Sequence, residues 1–173
     1  MATRFRKVLF VTVPLAVAAV AIVAAQEPSN PAAAVLKSQI MVTPAEVQWG
    51  SCSPALPPGA QCVVLEGDPK AANVLFSYRL KMPNGYKLAP HFHPADEHLL
   101  ILQGTFNMGM GDTVDMKATK AMVAGSFVVM PKGTHHFAWT TGETILQVYA
   151  IGPWALTYVN ANDDPRNQKK PAA

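Results

Sequence analysis

Two stretches of the sequence hold all five of its histidines. The first runs Gly85-Tyr-Lys-Leu-Ala-Pro-His91-Phe-His93-Pro-Ala-Asp-Glu97-His98, and the second runs Gly125-Ser-Phe-Val-Val-Met-Pro131-Lys-Gly133-Thr-His135-His136. Imidazole nitrogens and carboxylate oxygens are common ligands of divalent transition metals in proteins. The two stretches therefore predict a metal site that draws its ligands from separate segments of the chain.

Strand geometry indicates which side chains can meet at such a site. Side chains alternate between the two faces of a β-strand, so His91 and His93 share one face and can converge on one ion. Glu97 follows a turn and can return a carboxylate to the same ion. A histidine just after the Pro-Lys-Gly turn at residues 131–133 could supply a fourth ligand from another strand.

The same alternation turns two other histidines away from the predicted site. His98 faces away from Glu97, which favours a packed or hydrogen-bonded histidine. His135 faces away from His136 and is expected to lie on the outside or to support a ligand from behind. Asp96 could orient a ligand imidazole, but a solvated carboxylate in a turn is the simpler expectation.

The remainder of the chain predicts an all-β domain. Short apolar runs are punctuated by Gly, Pro and Asn-Gly, and no long helical period is present. Asn84-Gly85 predicts a tight turn between two of these runs, and a short helical turn is expected before residue 45. The predicted strands are Gln61–Glu66, Val74–Met82, Tyr86–His93, His98–Gln103, Thr105–Met110, Ser126–Met130, His136–Thr140, Thr144–Ile151 and Ala155–Val159.

The spacing within the first stretch resembles the first conserved motif of the cupin superfamily. Five residues separate Gly85 from His91, three separate His93 from Glu97, and six separate Glu97 from Gly104.

The second stretch resembles the second cupin motif. Gly125, Pro131, Gly133 and His136 stand at its spacing, and Thr140 stands where the family usually has Asn. The resemblance covers residues 60 to 152 and includes the short intermotif stretch of compact bacterial cupins.

The resemblance implies a single-domain cupin β-barrel, a double-stranded β-helix or jelly roll, over residues 40–160. It implies that His91, His93, Glu97 and His136 hold a divalent transition metal inside the barrel, with Fe, Mn, Zn, Ni and Cu all compatible. Glu97 is also the candidate catalytic residue, because a ligand carboxylate can double as a proton acceptor.

Three functions are compatible with such a site. The sequence is similar in a looser way to the acetylacetone and quercetin dioxygenases, which implies a metal-dependent dioxygenase acting on a small, oxygen-rich organic compound. It is also similar to the sensor domain of anti-sigma factors, which implies a non-catalytic module that binds a metal or small ligand. A metal-dependent isomerase is the third alternative. Leu99, Ile101 and Met130 are expected to line the site.

The N-terminus has the pattern of an export signal. Arg4, Arg6 and Lys7 precede an apolar run that ends in small residues, which predicts a signal peptide over residues 1–25, cleaved after Ala25. An uncleaved membrane anchor is the alternative. Cleavage would place the protein in the periplasm or outside the cell, without membrane attachment. A flexible arm is predicted over residues 26–39 and a polar tail over residues 161–173.

Export removes the apparent basic character of the chain. Three of the 14 basic residues lie in the signal segment, and the remaining 11 balance the 11 acidic residues. A mature net charge of zero provides no electrostatic basis for binding nucleic acid. The expected partner is instead a small-molecule substrate or ligand.

The two cysteines and the aromatic residues carry further expectations. Cys52 and Cys62 predict a disulfide in an exported protein, with a pair of thiolate metal ligands as the alternative. Met108 and Met110 share a strand face and are expected to line the barrel, although thioethers also suit Cu(I). Phe137 and Trp139 share the face opposite His136, which is expected to be covered by another sheet, by the N-terminal arm or by a second subunit, the last of which would make a homodimer.

Overall fold

The all-β prediction is confirmed by a computed structural model, which describes residues 39–168. Nine strands form one curled, antiparallel sheet. The predicted signal peptide and all but the last residue of the predicted arm lie outside the described residues. The strands are β1 (Gly50–Ser51), β2 (Gln61–Glu66), β3 (Leu75–Met82), β4 (Lys87–Phe92), β5 (Glu97–Met110), β6 (Lys120–Val123), β7 (Phe127–Met130), β8 (His136–Ile151) and β9 (Thr157–Tyr158). Short 3-10 turns occupy Pro44–Glu46, Met116–Ala118, Ala161–Asp163 and Pro165–Asn167.

Strand β8 organises the sheet because it pairs with three other strands. Along one edge it pairs with β5, from His136 through Tyr149. Along the other edge its first half pairs with β4 and its second half with β3. The order β1-β2-β3-β8-β4-β9 therefore continues through β8 into β5, which also carries β6 and β7. This branching lets the sheet curl around a single interior.

Two glycines explain where the sequence-based strand limits were wrong. The predicted strands at 98–103 and 105–110 form the single strand β5, and those at 136–140 and 144–151 form β8. Gly104 and Gly142 both have φ of +73°, and β5 changes register around Gly104. They mark a bulge and a bend inside continuous strands, where the sequence had predicted breaks. The sequence also missed β6.

The interior is filled by every second residue of the long strands. Leu80 on β3, Leu99 on β5 and Val148 on β8 are each buried, and their strand neighbours face outward. Burying a Val, Leu or Phe side chain contributes roughly 1.5–3 kcal/mol. The same cluster includes Met82, Ile101, Phe106 and Leu146.

The Asn84-Gly85 turn is confirmed, but the strands that it joins do not pair with each other. Both β3 and β4 pair with β8 instead. The turn is fixed by Thr140, whose hydroxyl donates to the Pro83 carbonyl at 2.6 Å and accepts from the Tyr86 amide at 2.9 Å. Thr140 stands where the cupin motif usually has Asn, and here its short hydroxyl links the turn to β8.

The predicted disulfide between Cys52 and Cys62 is confirmed, and the thiolate-ligand alternative is wrong. The loop between these cysteines is held against the barrel by two tyrosine hydroxyls. Tyr86 donates to the Pro57 carbonyl at 2.5 Å, and Tyr158 donates to the Ala55 carbonyl at 2.8 Å. We call residues 52–62 the disulfide loop.

The outer face near Phe137 is covered within one chain. The Phe137 ring is 1 % exposed and lies so close to Gly109 that a Cβ there would collide with it. Phe137 therefore needs no partner subunit to cover it, and a homodimer remains a prediction. Along residues 39–168, no helix is long and apolar enough to cross a membrane.

Exchange of Gly104 for Ala should destabilise the fold much more than exchange of Gly111. Both glycines have positive φ, and for an L residue this conformation costs about 1–2 kcal/mol. A Cβ at Gly104 would also collide with the Glu143 carbonyl, whereas the space beside Gly111 is open. We expect Gly104→Ala to lower the free energy of unfolding by more than about 3 kcal/mol. Equal losses for both variants in urea denaturation would contradict this packing.

Candidate metal centre

A bulge in β4 aims the first pair of histidines into the barrel. Leu88 pairs with Ala138 and His91 pairs with His136. An advance of three residues on β4 thus matches an advance of two residues on β8, which leaves one extra residue on β4. Pro90 lies in the bulge, and it has no N–H to complete the ladder. Leu88 and His91 therefore both face inward, which an uninterrupted strand would not allow. His91 is 3 % exposed and His93 is 5 % exposed.

The other two predicted site residues lie at strand beginnings beside this pair. Glu97 is the first residue of β5 and His136 is the first residue of β8. The turns before them are joined, because the Gly133 amide donates to the His93 carbonyl at 2.9 Å. The Lys132 amide also donates to the Asp96 carboxylate at 2.8 Å. Asp96 thus connects the two turns and does not orient an imidazole.

All three inward imidazoles are oriented by backbone carbonyls. The Nδ1 atoms of His91 and His93 lie 2.8 Å from the carbonyl oxygens of Ala89 and Ala155. The Nδ1 atom of His136 lies 2.9 Å from the Thr134 carbonyl oxygen. Because a carbonyl can only accept, each Nδ1 carries the hydrogen and each Nε2 presents a lone pair. One ring nitrogen from each histidine lies within 4.8 Å of the others.

The Glu97 carboxylate faces two of these lone pairs. Its Oε1 lies 3.6 Å from Nε2 of His93, and its Oε2 lies 3.5 Å from Nε2 of His136. His93 Nε2 and Glu97 Oε2 are buried and have no hydrogen-bond partner. Such groups are costly to bury unless something satisfies them. A cation between them would do so, and three imidazoles with one carboxylate suit a divalent transition metal.

The protonation states also suit a cation. Burial, together with the neighbouring imidazoles of His136 and His93, lowers the pKa of His91 to about 3. Burial likewise lowers the pKa of His93. For Glu97, burial alone would raise the pKa, but contact with His136 and the other imidazoles outweighs it, so the pKa is lowered. Near neutral pH, His91 and His93 are therefore neutral and Glu97 is ionised.

The space beside these four side chains is small and mainly apolar. The cavity has a volume of about 30 Å³. Leu99 lines it as predicted, while Ile101 and Met130 lie in the surrounding core. Met108 lines it as well, but Met110 is exposed on the outside, contrary to expectation. Tyr78 also lines the cavity.

The remaining histidines lie outside, as strand alternation predicted. His135 contacts the Asp112 carboxylate, with Nδ1 and Oδ1 2.6 Å apart, and its ring lies 5.0 Å from that of Phe92. His98 is half-buried, with its ring 6.2 Å from that of Phe127.

Sequence reasoning missed one support of the site. The Trp154 indole stacks on the His93 ring with centroids 4.1 Å apart and planes 11° apart. The next residue, Ala155, supplies the carbonyl that holds His93. Sequence spacing does not reveal this contact, because Trp154 is 61 residues from His93 in the chain.

A curled antiparallel sheet with inward histidines and a carboxylate at these positions is the architecture of a cupin. More specifically, residues 37–155 match the family model of the ChrR cupin-like domain, and the chain belongs to this family.

Part of the chain is also similar to curated plant proteins. Germin-like protein 5-1 of Oryza sativa subsp. japonica is 41 % identical over 56 residues, which are 32 % of this chain and 25 % of that protein. Germin-like protein 9-3 of the same plant is 39 % identical over 73 residues, or 41 % of this chain and 34 % of the relative. The matches thus span between a quarter and about a third of these relatives.

Two solved structures share the fold. The polyketide cyclase RemF from Streptomyces resistomycificus superposes with a TM-score of 0.58 at 19 % identity, over 73 % of this chain and 89 % of that one. An RmlC-like cupin from Shewanella frigidimarina NCIMB 400 has a TM-score of 0.51 at 15 % identity, over 66 % of this chain and 93 % of that one. At these identities the likeness is one of fold.

The metal-free protein should lose stability as the pH falls below 6.5. An unfolded histidine takes up a proton near pH 6.5, whereas folded His91 does so only near pH 3. Between these values the unfolded state binds more protons, so the free energy of unfolding decreases as the pH falls. The melting temperature of His91→Gln should depend less steeply on pH than that of the unaltered protein. His135→Gln, at an exposed position, should keep the original slope. Parallel profiles for all three proteins would refute the assignment.

Proposed function

We propose that this protein is an exported, metal-dependent enzyme of dioxygenase type that acts on a small, oxygen-rich organic compound. We propose His91, His93, Glu97 and His136 as the metal ligands. The observation that supports this most directly is a pair of buried atoms without hydrogen-bond partners, His93 Nε2 and Glu97 Oε2. His93 Nε2 lies 3.6 Å from Glu97 Oε1, and Glu97 Oε2 lies 3.5 Å from His136 Nε2.

Each residue has a defined part in this proposal. A divalent metal at this site would supply Lewis acidity and positions at which an oxygen-rich compound can bind. The backbone carbonyls of Ala89, Thr134 and Ala155 keep the imidazoles in the tautomer that presents Nε2. Glu97 can accept a proton at a carboxylate oxygen. The apolar walls, Leu99 and Met108 among them, exclude water from the reacting atoms.

Export and an extracytoplasmic location are supported by the disulfide. Cys52 and Cys62 are bonded, and such bonds persist mainly in oxidising compartments. Outside the cytoplasm Zn and Cu compete strongly with Fe and Mn for a site of this kind. Metal identity therefore decides which chemistry is available, since Zn suits binding or isomerisation better than activation of dioxygen.

A non-catalytic binding module is the second candidate, and the size of the cavity favours it. About 30 Å³ beside the histidines is room for little more than one or two water molecules. A protein that only captured a metal ion would need no more space. The isomerase alternative has less support, because it calls for an acid–base relay, and Tyr78 is the one further polar side chain among the described residues lining the cavity.

Removal of a proposed ligand should weaken metal binding. We expect His136→Ala and Glu97→Gln each to lower the affinity for Zn²⁺ at least about 100-fold, because each removes a donor to the ion. His135→Ala is the matched control and should leave the affinity within about twofold. Calorimetric titration of the metal-free proteins, with elemental analysis of the loaded ones, provides the measurement. Unchanged uptake by both ligand variants would rule out the proposed ligand set.

Dioxygen consumption separates the enzyme from the binding module. Protein loaded with Fe(II) should consume dioxygen in the presence of a β-dione or a flavonol, and protein loaded with Zn²⁺ should not. Glu97→Gln, reconstituted with iron to the same occupancy, should consume dioxygen more slowly by at least about 100-fold. An oxygen electrode records both rates. Stoichiometric iron without dioxygen uptake for any dione or flavonol would favour the binding module.

A further inference from the structure

A second, larger cavity adjoins the metal centre. It has a volume of about 460 Å³, and we call it the outer chamber. One wall is the disulfide loop, including both bonded cysteines, and another is the segment Trp154–Leu156. Tyr86 and Tyr158 hold the disulfide loop in place through its carbonyls. The outer chamber is therefore a preformed space with a covalently closed wall.

Three residues separate the outer chamber from the cavity at the metal centre. Leu56, Tyr78 and Leu156 line both spaces. The inner cavity is too small for an organic molecule. The bulk of any organic ligand must therefore lie in the outer chamber, and only its oxygen-bearing edge can pass between these three side chains towards His93 and Glu97.

Tyr78 provides a polar group at this boundary. It points inward from β3, on the same strand face as Leu80. Burial raises the pKa of the Tyr78 hydroxyl, and the nearby Trp154 indole N–H, which can only donate, opposes that rise. The phenolic oxygen therefore accepts, and its proton is left for another partner. That partner can be an oxygen atom of a ligand that crosses the boundary.

The buried part of the outer chamber disfavours an acidic ligand body. Its two charged side chains, Asp68 and Lys70, are both exposed and opposite in sign. The buried lining offers no cation to balance a carboxylate, and an unpaired charge is costly to remove from water. Away from Lys70, a negative charge on the ligand could be balanced only at the metal, where the chelating oxygens would carry it.

We propose that the outer chamber binds an uncharged organic compound whose keto or hydroxyl oxygens reach the metal centre, and that the Tyr78 hydroxyl donates a hydrogen bond to one of those oxygens. This inference rests on the proposed function, since it names the class of compound that the metal centre would receive. Tyr78 is in this view a positioning residue.

Two hydroxypyrones test the charge of the ligand. Kojic acid carries a neutral hydroxymethyl group away from its chelating oxygens, and comenic acid carries a carboxylate at the same place. Titration of Zn²⁺-loaded protein should show kojic acid binding at least about tenfold more tightly than comenic acid near pH 6.5, because only the carboxylate needs a cation. Equal binding, or tighter binding of comenic acid, would overturn the inference.

Tyr78→Phe tests the hydrogen bond without removing the ring. Its dissociation constant for kojic acid should rise about three- to tenfold, as expected for one lost hydrogen bond. Zn²⁺ affinity should stay unchanged. Tyr149→Phe is the matched control, because the Tyr149 hydroxyl accepts from Gln147 and does not line the outer chamber. An equal loss in both variants, or none in Tyr78→Phe, would contradict the role of Tyr78.

Leu56→Trp provides a second test at the boundary. The larger ring should fill the passage and lower kojic acid binding at least about tenfold, while Zn²⁺ uptake is retained. Retained kojic acid binding would place the ligand elsewhere. If the unaltered protein takes up no Zn²⁺, the proposed function fails. The same kojic acid titrations on metal-free protein then test whether the outer chamber binds a ligand by itself. Kojic acid binding that depends on Tyr78 and Leu56 would then support it, and no binding would refute it.

Discussion

The organisation of this protein depends on three hydrogen bonds from imidazole Nδ1 atoms to backbone carbonyls. They fix His91, His93 and His136 in the tautomer that turns a lone pair inward. The ionised Glu97 carboxylate faces the same point. Lone pairs facing one another in an apolar interior are unfavourable without a cation, so this arrangement ties the stability of the barrel interior to the binding of a cation.

The backbone features around the site serve this arrangement. The bulge at residues 89–90 reverses the alternation of β4, so that the apolar Leu88 and the ligand candidate His91 can both face inward. The bonds from Gly133 and Lys132 hold the two turns together, which places the beginnings of β5 and β8 side by side. The carbonyls that orient the rings come from these irregular segments, where backbone groups are free of the sheet ladders.

The sequence predicted those parts of the site that depend on local spacing. The pairing of His91 with His93, and the outward positions of His98 and His135, follow from alternation over a few residues. Gly104 was predicted only as a break, because a sequence pattern does not distinguish a bulge from the end of a strand. Trp154, Ala155 and Tyr78 were missed as site residues because the sheet brings them to the site from distant segments. Asp96 is the exposed turn carboxylate that was expected, but its partner, the Lys132 amide, is 36 residues away and could not be predicted from spacing.

An enzyme and a metal-binding module would make different use of the small inner cavity and the larger outer chamber. A module that only captures metal needs the inner cavity alone, and the outer chamber would then have no part in its function. An enzyme needs both, because only the outer chamber has room for an organic ligand. The boundary at Leu56 belongs to the disulfide loop, so the Cys52–Cys62 bond constrains the wall through which a ligand would reach the metal. Formation of this disulfide therefore helps to set the shape of the passage between the outer chamber and the histidines.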